Sequence, residues 1–169
     1  MKEYATTEQA IQLMLSAHHG QTDKVGRPYY MHPLRVMMRL GPHVSEHEKQ
    51  IALLHDVVED TPYSLEDLME EPFHPFVVRG VEILTRKEDQ IYKDYVNDIL
   101  ASNVTEYIRV KLADVTDNLC FIRTMELIRK DGKDNGKDRY LSTKIKLLGH
   151  LYQMTENSTL LPVDLPLTL

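Results

Sequence analysis

The stretch Ile51-Ala-Leu-Leu-His-Asp-Val-Val-Glu-Asp-Thr-Pro62 gathers four ionisable side chains at the end of an apolar run. His55 and Asp56 are adjacent, Glu59 follows His55 by four residues, and Asp60 follows Asp56 by four. Residues four apart share one face of a helix, so the spacing predicts a buried helix that ends in a cluster of acid and imidazole groups. Pro62 then forces the chain to stop or turn. Burying such groups bare costs several kcal/mol per charge unless they are paired or bound to a metal. A His-Asp pair in this setting is metal-ligand chemistry, and the Glu-Asp pair is reactive-group chemistry. Taken alone, the stretch reads equally well as a solvated, acidic helix end with one satisfied histidine.

Two other segments break that tie. His32 precedes Pro33 where a polar loop feeds a second helix, and Asp114 lies among Leu112, Ala113 and Val115 in Lys111-Leu-Ala-Asp-Val-Thr-Asp-Asn118. An aspartate in so apolar a helix needs a partner. His32, His55, Asp56 and Asp114 supply two imidazoles and two carboxylates from three elements. A mixed nitrogen and oxygen set without cysteine suits manganese, iron, zinc or magnesium with positions left open for water and substrate. An open site of this kind acidifies bound water and polarises a phosphoryl oxygen.

These residues resemble the H…HD…D pattern of the HD metal-dependent phosphohydrolase superfamily. The fuller text, with Ala17-His-His-Gly-Gln21, Gly26-Arg-Pro-Tyr29, His32-Pro-Leu34, Leu53-Leu-His-Asp-Val-Val-Glu-Asp-Thr61 and Lys111-Leu-Ala-Asp114 through Asn118, is similar to the hydrolase domain of the Rel/Spo stringent-response enzymes and the small alarmone hydrolases. The resemblance runs from about Gln9 to Thr124. It implies that His32, His55, Asp56 and Asp114 bind a divalent metal, manganese in the relatives. It further implies that Glu59 and Asp60 are the catalytic pair handling the attacking water. Lys24 and Asn118 match residues that contact the nucleotide. The implied reaction removes pyrophosphate from the 3′ position of guanosine tetra- or pentaphosphate.

Two departures fall on the nucleotide side. Asp23 stands where the alarmone hydrolases have an arginine that stacks on guanine, and a carboxylate cannot do that. Val115-Thr-Asp-Asn118 replaces the family's Arg-Leu-His-Asn. Arg27, in the same loop, is a candidate to take over base or phosphate contact. The departures leave open an HD-type nucleotidase, a nucleotide 2′ or 3′ phosphatase, or a module that senses a nucleotide without turning it over.

The elements that must position these groups are all helical. Apolar stripes predict helices over 8–19, 34–40, 45–61, 64–69, 76–84, 91–101, 104–130 and 138–155, with Thr6 or Thr7, Ser45 and Ser64 as N-caps. No stretch alternates with a period of two, so the expected fold is one all-α domain, an HD-type helical bundle over residues 1–156, with an irregular tail over 157–169. Asp117 is left open between a partner of the metal site and a solvated acid. Lys111 reads as a solvated helix face, Tyr29 as core packing, and His18 as a helix-end histidine.

The 169 residues, 42% hydrophobic and 27% charged, have the composition of a soluble globular domain large enough to hold a real core. The net charge of −6 argues against nucleic acid as the main partner, and no apolar run reaches the length of a membrane span. A single cysteine, Cys120, fits a reducing cytoplasm. The expected partner is a small phosphorylated nucleotide; oligomeric state is not legible.

Overall fold

The computed structural model describes residues 3–131 and 136–157. Its helices are α1 (Thr7–Ala17), α2 (Met31–Arg39), α3 (Glu46–Leu54), α4 (Val57–Asp60), α5 (Leu65–Glu70), α6 (Pro75–Leu84), α7 (Tyr92–Ala101), α8 (Thr105–Asn118), α9 (Phe121–Asp131) and α10 (Lys137–Asn157). No strand occurs among the described residues, only an isolated antiparallel bridge between Thr22 and Pro28. The fold is an all-α bundle.

Local chemistry explains where the helices start. Thr6, Ser45 and Ser64 each accept the backbone N–H three residues on, while Gln9, Glu48 and Asp67 reach back to the cap. Each reciprocal capping box satisfies donors that would otherwise be orphaned. Ahead of α6, His74 caps with its ring, its Nδ1 accepting from Phe76 N–H, and Pro75 occupies the first turn.

Helix α3 is the axis of the core. Ile51, Ala52, Leu53 and Leu54 are wholly buried, and α1, α2, α6 and α8 pack around the helix. Helix α8 forms the second axis, in contact with α2, α6, α7 and α10. Where α6 crosses, Gly80 admits the close approach: a Cβ there would sit 2.7 Å from Ile51 Cδ1 and 2.9 Å from Tyr107 Cε1.

The structure divides two stretches that the sequence pattern runs together. The central helix stops at Leu54, and α4 restarts at Val57. Between them the His55 ring turns back on Ala52, with Nδ1 2.8 Å from that carbonyl oxygen, and Asp56 adopts φ −101°, ψ −5°. The metal-type pair thus occupies a break, not a helix end. Likewise 104–130 is two helices, α8 and α9, separated at Leu119 and Cys120. Helix α10 continues through Asn157, two residues beyond its expected end; the rest of the tail, 158–169, lies outside the described residues.

Candidate active site

Three elements converge where α2, the α3–α4 break and α8 meet. Ligand-type atoms of His32, His55 and Asp56 lie within 4.8 Å of one another. Asp114 completes the group, its Oδ1 3.3 Å from His32 Nε2 and 3.9 Å from His55 Nε2. Asp56 Oδ2 is 3.4 Å from His32 Nε2 and 3.2 Å from His55 Nε2.

The hydrogen bonds behind the two imidazoles fix which nitrogen faces the cluster. The Ala52 carbonyl can only accept, so His55 Nδ1 carries the hydrogen and Nε2 presents a lone pair. Among the described residues His55 Nε2 is buried without a hydrogen-bond partner, 3.2 Å from Asp56 Oδ2. A lone pair facing carboxylates in a buried site calls for a cation. His32 repeats the arrangement, with Nδ1 2.8 Å from Asp117 Oδ2 and Nε2 turned to Asp56 and Asp114. These four residues therefore fit a divalent ion, with the outer ring nitrogens oriented by acceptors as metal-ligating histidines usually are.

The charges respond accordingly. Burial pulls the His32 imidazole down, but Asp114, Asp117 and Asp56 outweigh it and hold its pKa up at about 9. His55 is also raised, burial being overcome by Asp56 and Asp114. Burial pushes the Asp114 and Asp56 carboxyls up, yet both end well below the usual carboxylate range. Lys111 and the two histidines lower Asp114, and His55 and His32 lower Asp56. Without a metal, the cluster holds its charge balance with protons on the imidazoles.

Around this group lies a cavity of about 430 Å³. Loop 21–25, Glu59, Asp60, Lys111, Asn118, Tyr92 and Arg139 line it. Glu59 Oε2 accepts the Arg86 backbone N–H at 2.9 Å, and burial raises its carboxyl pKa against that bond. The Tyr29 hydroxyl meets Asp56 Oδ2 at 2.7 Å and Asp60 Oδ2 at 2.6 Å, tying the ligand carboxylate to the acidic pair. Burial, Asp56 and Asp60 push this phenol far up, so it stays protonated. Asn118 Nδ2 donates to Asp114 Oδ1 at 2.6 Å, and Lys111 Nζ pairs with Asp114 Oδ2 at 2.7 Å.

Lys24 and Asp23 line the cavity; Arg27 does not. Arg27 instead pairs with Glu126 on α9 at 2.6 Å. Asp23 Oδ1 accepts from the Val25 and Arg27 backbone N–H groups at 3.0 and 2.9 Å, a local Asx-type bond that shapes the loop. The carboxylate therefore organises the loop backbone.

Four residues carry more than their sequence context suggests. Asp117 is wholly buried and is bonded by His32, Arg35 and Arg39. Lys111 is buried against Asp114, not solvated, and Tyr29 joins acid to acid instead of merely packing. Arg139 lies over the Tyr92 and Tyr140 rings, 4.5 and 5.0 Å from their centroids, and all three line the cavity. The signal for Asp117 was present in its three-residue spacing from Asp114 and in Arg35 and Arg39, which are four apart on α2. Nothing in the sequence brings α7 and α10 to the cavity.

The family model described as HD domain matches residues 29–120, more than half of the chain and all four ligand-type residues. This chain belongs to the HD domain family. Among curated relatives, a guanosine-3′,5′-bis(diphosphate) 3′-pyrophosphohydrolase of Haemophilus influenzae is 39% identical over 124 residues, 68% of this chain. The bifunctional (p)ppGpp synthase/hydrolase SpoT of Escherichia coli is 34% identical over 134 residues, 73% of this chain. The chain spans only 18% of the length of either relative. The solved structure of a metazoan ortholog of SpoT that hydrolyzes ppGpp superposes with a TM-score of 0.66 at 22% identity, covering 95% of this chain and 99% of the other. That likeness places the helical arrangement in the HD fold. No described helix is long and apolar enough to cross a membrane.

Proposed function

We propose that this chain is a metal-dependent phosphohydrolase of the guanosine tetra- and pentaphosphate 3′-pyrophosphohydrolase type, its HD domain spanning residues 1–156 and working in the cytoplasm. One observation carries the reading. His32, His55, Asp56 and Asp114 converge with two imidazole Nε2 atoms facing two carboxylates, and Glu59 and Asp60 open into the same cavity. The activities named for the Haemophilus and Escherichia relatives supply the substrate class. The mixed nitrogen and oxygen set suits manganese, iron, zinc or magnesium, and manganese is proposed from the resemblance to the alarmone hydrolases.

A divalent ion on the four residues would polarise a phosphoryl oxygen and acidify a water. The protein's own groups do the rest. Glu59, raised by burial, takes a proton from the attacking water, and Asp60 orients that water through its carboxylate. The water oxygen bonds to the phosphorus attached to the ribose 3′ oxygen. The bond between that phosphorus and the 3′ oxygen breaks, its electron pair stays on the 3′ oxygen, and that oxygen takes up a proton. Pyrophosphate leaves. Lys24, Lys111, Arg86, Arg139 and Asn118 give the cavity the cationic and polar wall that phosphates need.

Asp23 favours a second reading on the substrate side. Its carboxylate is engaged with the loop backbone and offers no planar cation to a guanine, which suits a nucleotidase or a nucleotide 2′ or 3′ phosphatase. A manganese-dependent panel of guanosine tetraphosphate, its adenosine analogue, NADPH and nucleoside monophosphates, with products identified, separates the two. Pyrophosphate from the 3′ position supports the first reading and orthophosphate the second. Release of neither, with ligand affinity altered by Glu59→Gln, would leave a nucleotide-sensing module.

A further inference from the structure

Helix α4 carries Glu59 and Asp60, yet it is a single turn, Val57–Asp60. One turn does not hold itself, because the first turn of a helix is unfavourable to form alone and its last carbonyls have no partner within it. Its place is set by bonds from beyond it. Thr61 Oγ1 donates to the Val57 carbonyl at 2.6 Å, and the Arg86 N–H donates to Glu59 Oε2. The Asp60 carbonyl accepts from Gln21 Nε2 at 3.1 Å, and the Asp60 carboxylate accepts from the Tyr29 hydroxyl. Both of these last bonds reach Asp60 from segment 21–29.

Gln21 gathers that segment. Its N–H donates to the His18 carbonyl at 3.1 Å, and its carbonyl accepts the Tyr29 N–H at 2.9 Å. Gly20 makes the turn between His18 and Gln21 at φ +74°, a conformation that glycine alone adopts freely. The Asp60 carbonyl can only accept, so the Gln21 amide turns its NH2 to Asp60 and its Oε1 the other way. Oε1 lies 2.6 Å from His18 Nδ1, which therefore carries the hydrogen. Among the described residues no other group fixes which end of this amide faces Asp60.

His18 is more than a helix-end histidine. It is 1% exposed, and its ring packs on that of Tyr29 with the centroids 4.8 Å apart. Its Nε2 is buried without a hydrogen-bond partner among the described residues, so the polar work of the ring runs through Nδ1. An apolar side chain of the same shape would fill the space without leaving a polar atom unpaired, so packing alone does not account for an imidazole here. Gln21 and Tyr29 line the cavity and His18 does not. His18 therefore acts on the site only through those two neighbours, one bonded to the Asp60 backbone and the other to its carboxylate.

We infer that His18 and Gln21 are positioning residues for Asp60: the imidazole orients the Gln21 amide, the amide pins the last carbonyl of α4, and Tyr29, packed on His18, holds the carboxylate. The inference rests on the proposed hydrolysis, in which Asp60 orients the attacking water. Neither His18 nor Gln21 bonds to His32, His55, Asp56 or Asp114, so the hold on Asp60 is separable from metal binding.

Two variants of the full chain test this by kinetics and by NMR. His18→Leu keeps much of the volume and removes the donor, whereas His18→Asn sets an amide nitrogen where Nδ1 stood. With manganese and the nucleotide that the wild-type protein cleaves, His18→Leu is expected to lose about tenfold or more in kcat, with KM and manganese affinity within about twofold. His18→Asn is expected to regain most of that loss. The Gln21 side-chain amide protons and the Asp60 carbonyl carbon are expected to shift in His18→Leu and to return toward wild type in His18→Asn; neither variant carries a ring, so the difference between them reports the hydrogen bond. An unchanged kcat in His18→Leu overturns the inference, as does a loss that the two variants share equally, which marks packing alone. If the wild-type protein cleaves no nucleotide, the proposed hydrolysis has failed and the NMR signals decide alone. Signals that differ between the variants uphold the hold on Asp60, and signals that coincide overturn it.

Discussion

Asp117 Oδ2 lies 2.8 Å from His32 Nδ1, on the side of the ring away from the ligand cluster. Arg35 and Arg39 hold that carboxylate from α2, Arg35 through both Nε and Nη2. The contact fixes the imidazole so that Nε2 faces Asp56 and Asp114. It also joins α2 to α8 across the site, making the geometry of one ligand depend on a buried residue that touches no substrate.

Asp117→Asn keeps the shape but surrenders the charge that His32 and the two arginines share. Manganese affinity, read by calorimetry, is expected to fall roughly 10- to 100-fold, the usual loss when an acceptor behind a ligating histidine is altered. Affinity unchanged within experimental error would mean that Asp117 serves stability alone.

The metal-free protein should show a pH dependence that the metal-loaded protein lacks. His32 has its pKa raised from 6.5 to about 9. A raised pKa contributes stability that is fully present below the unfolded value and is lost as pH rises through the folded one. Melting temperature without metal is therefore expected to decline between about pH 6.5 and pH 9. Manganese binds the deprotonated imidazoles, so the stabilisation it adds should grow across the same window. Melting curves with and without manganese from pH 6 to pH 9.5 check the sign. A metal-free protein that gains stability across this range would contradict the charge assignment.

Tyr29→Phe removes the hydroxyl that bridges Asp56 and Asp60 and leaves the ring in place. Turnover is expected to fall about tenfold or more, while manganese affinity falls less than in Asp117→Asn. Equal losses in both would make Tyr29 a support for the metal ligand only.

Gly80→Ala places a methyl group 2.7 Å from Ile51 Cδ1 at the α3–α6 crossing. Overpacking of this kind costs about 1–3 kcal/mol, more than alanine gains in helix propensity. Chemical denaturation should show the loss, and an unchanged midpoint would mean that the helices separate freely.

The bundle was legible because apolar stripes and capping boxes are local signals. Thr6 with Gln9, Ser45 with Glu48 and Ser64 with Asp67 mark their helix starts in the text itself. The breaks at 55–56 and 119–120 were not legible. The first involves a side chain bonding back to Ala52, and both interrupt runs whose apolar pattern continues unchanged. Long-range placement set the same limit at the site. His32, His55, Asp56 and Asp114 stand out because imidazole or acid in apolar text needs a partner. Lys111 and Arg139 look like ordinary surface charge until α8 and α10 are seen to flank the cavity. Arg27 shows the converse, a cation in the right loop that the fold turns toward Glu126.

In the proposed reaction one divalent ion on His32, His55, Asp56 and Asp114 serves hydrolysis by Glu59 and Asp60. Titrating manganese into metal-free protein, while following pyrophosphate and phosphate release from guanosine tetraphosphate and the nucleotide panel, tests it most directly. Release should saturate at one ion per chain and fall at least 100-fold in Glu59→Gln, which is expected to bind the ion normally. No release from any nucleotide at any manganese concentration, or release indifferent to both the ion and Glu59→Gln, would contradict it.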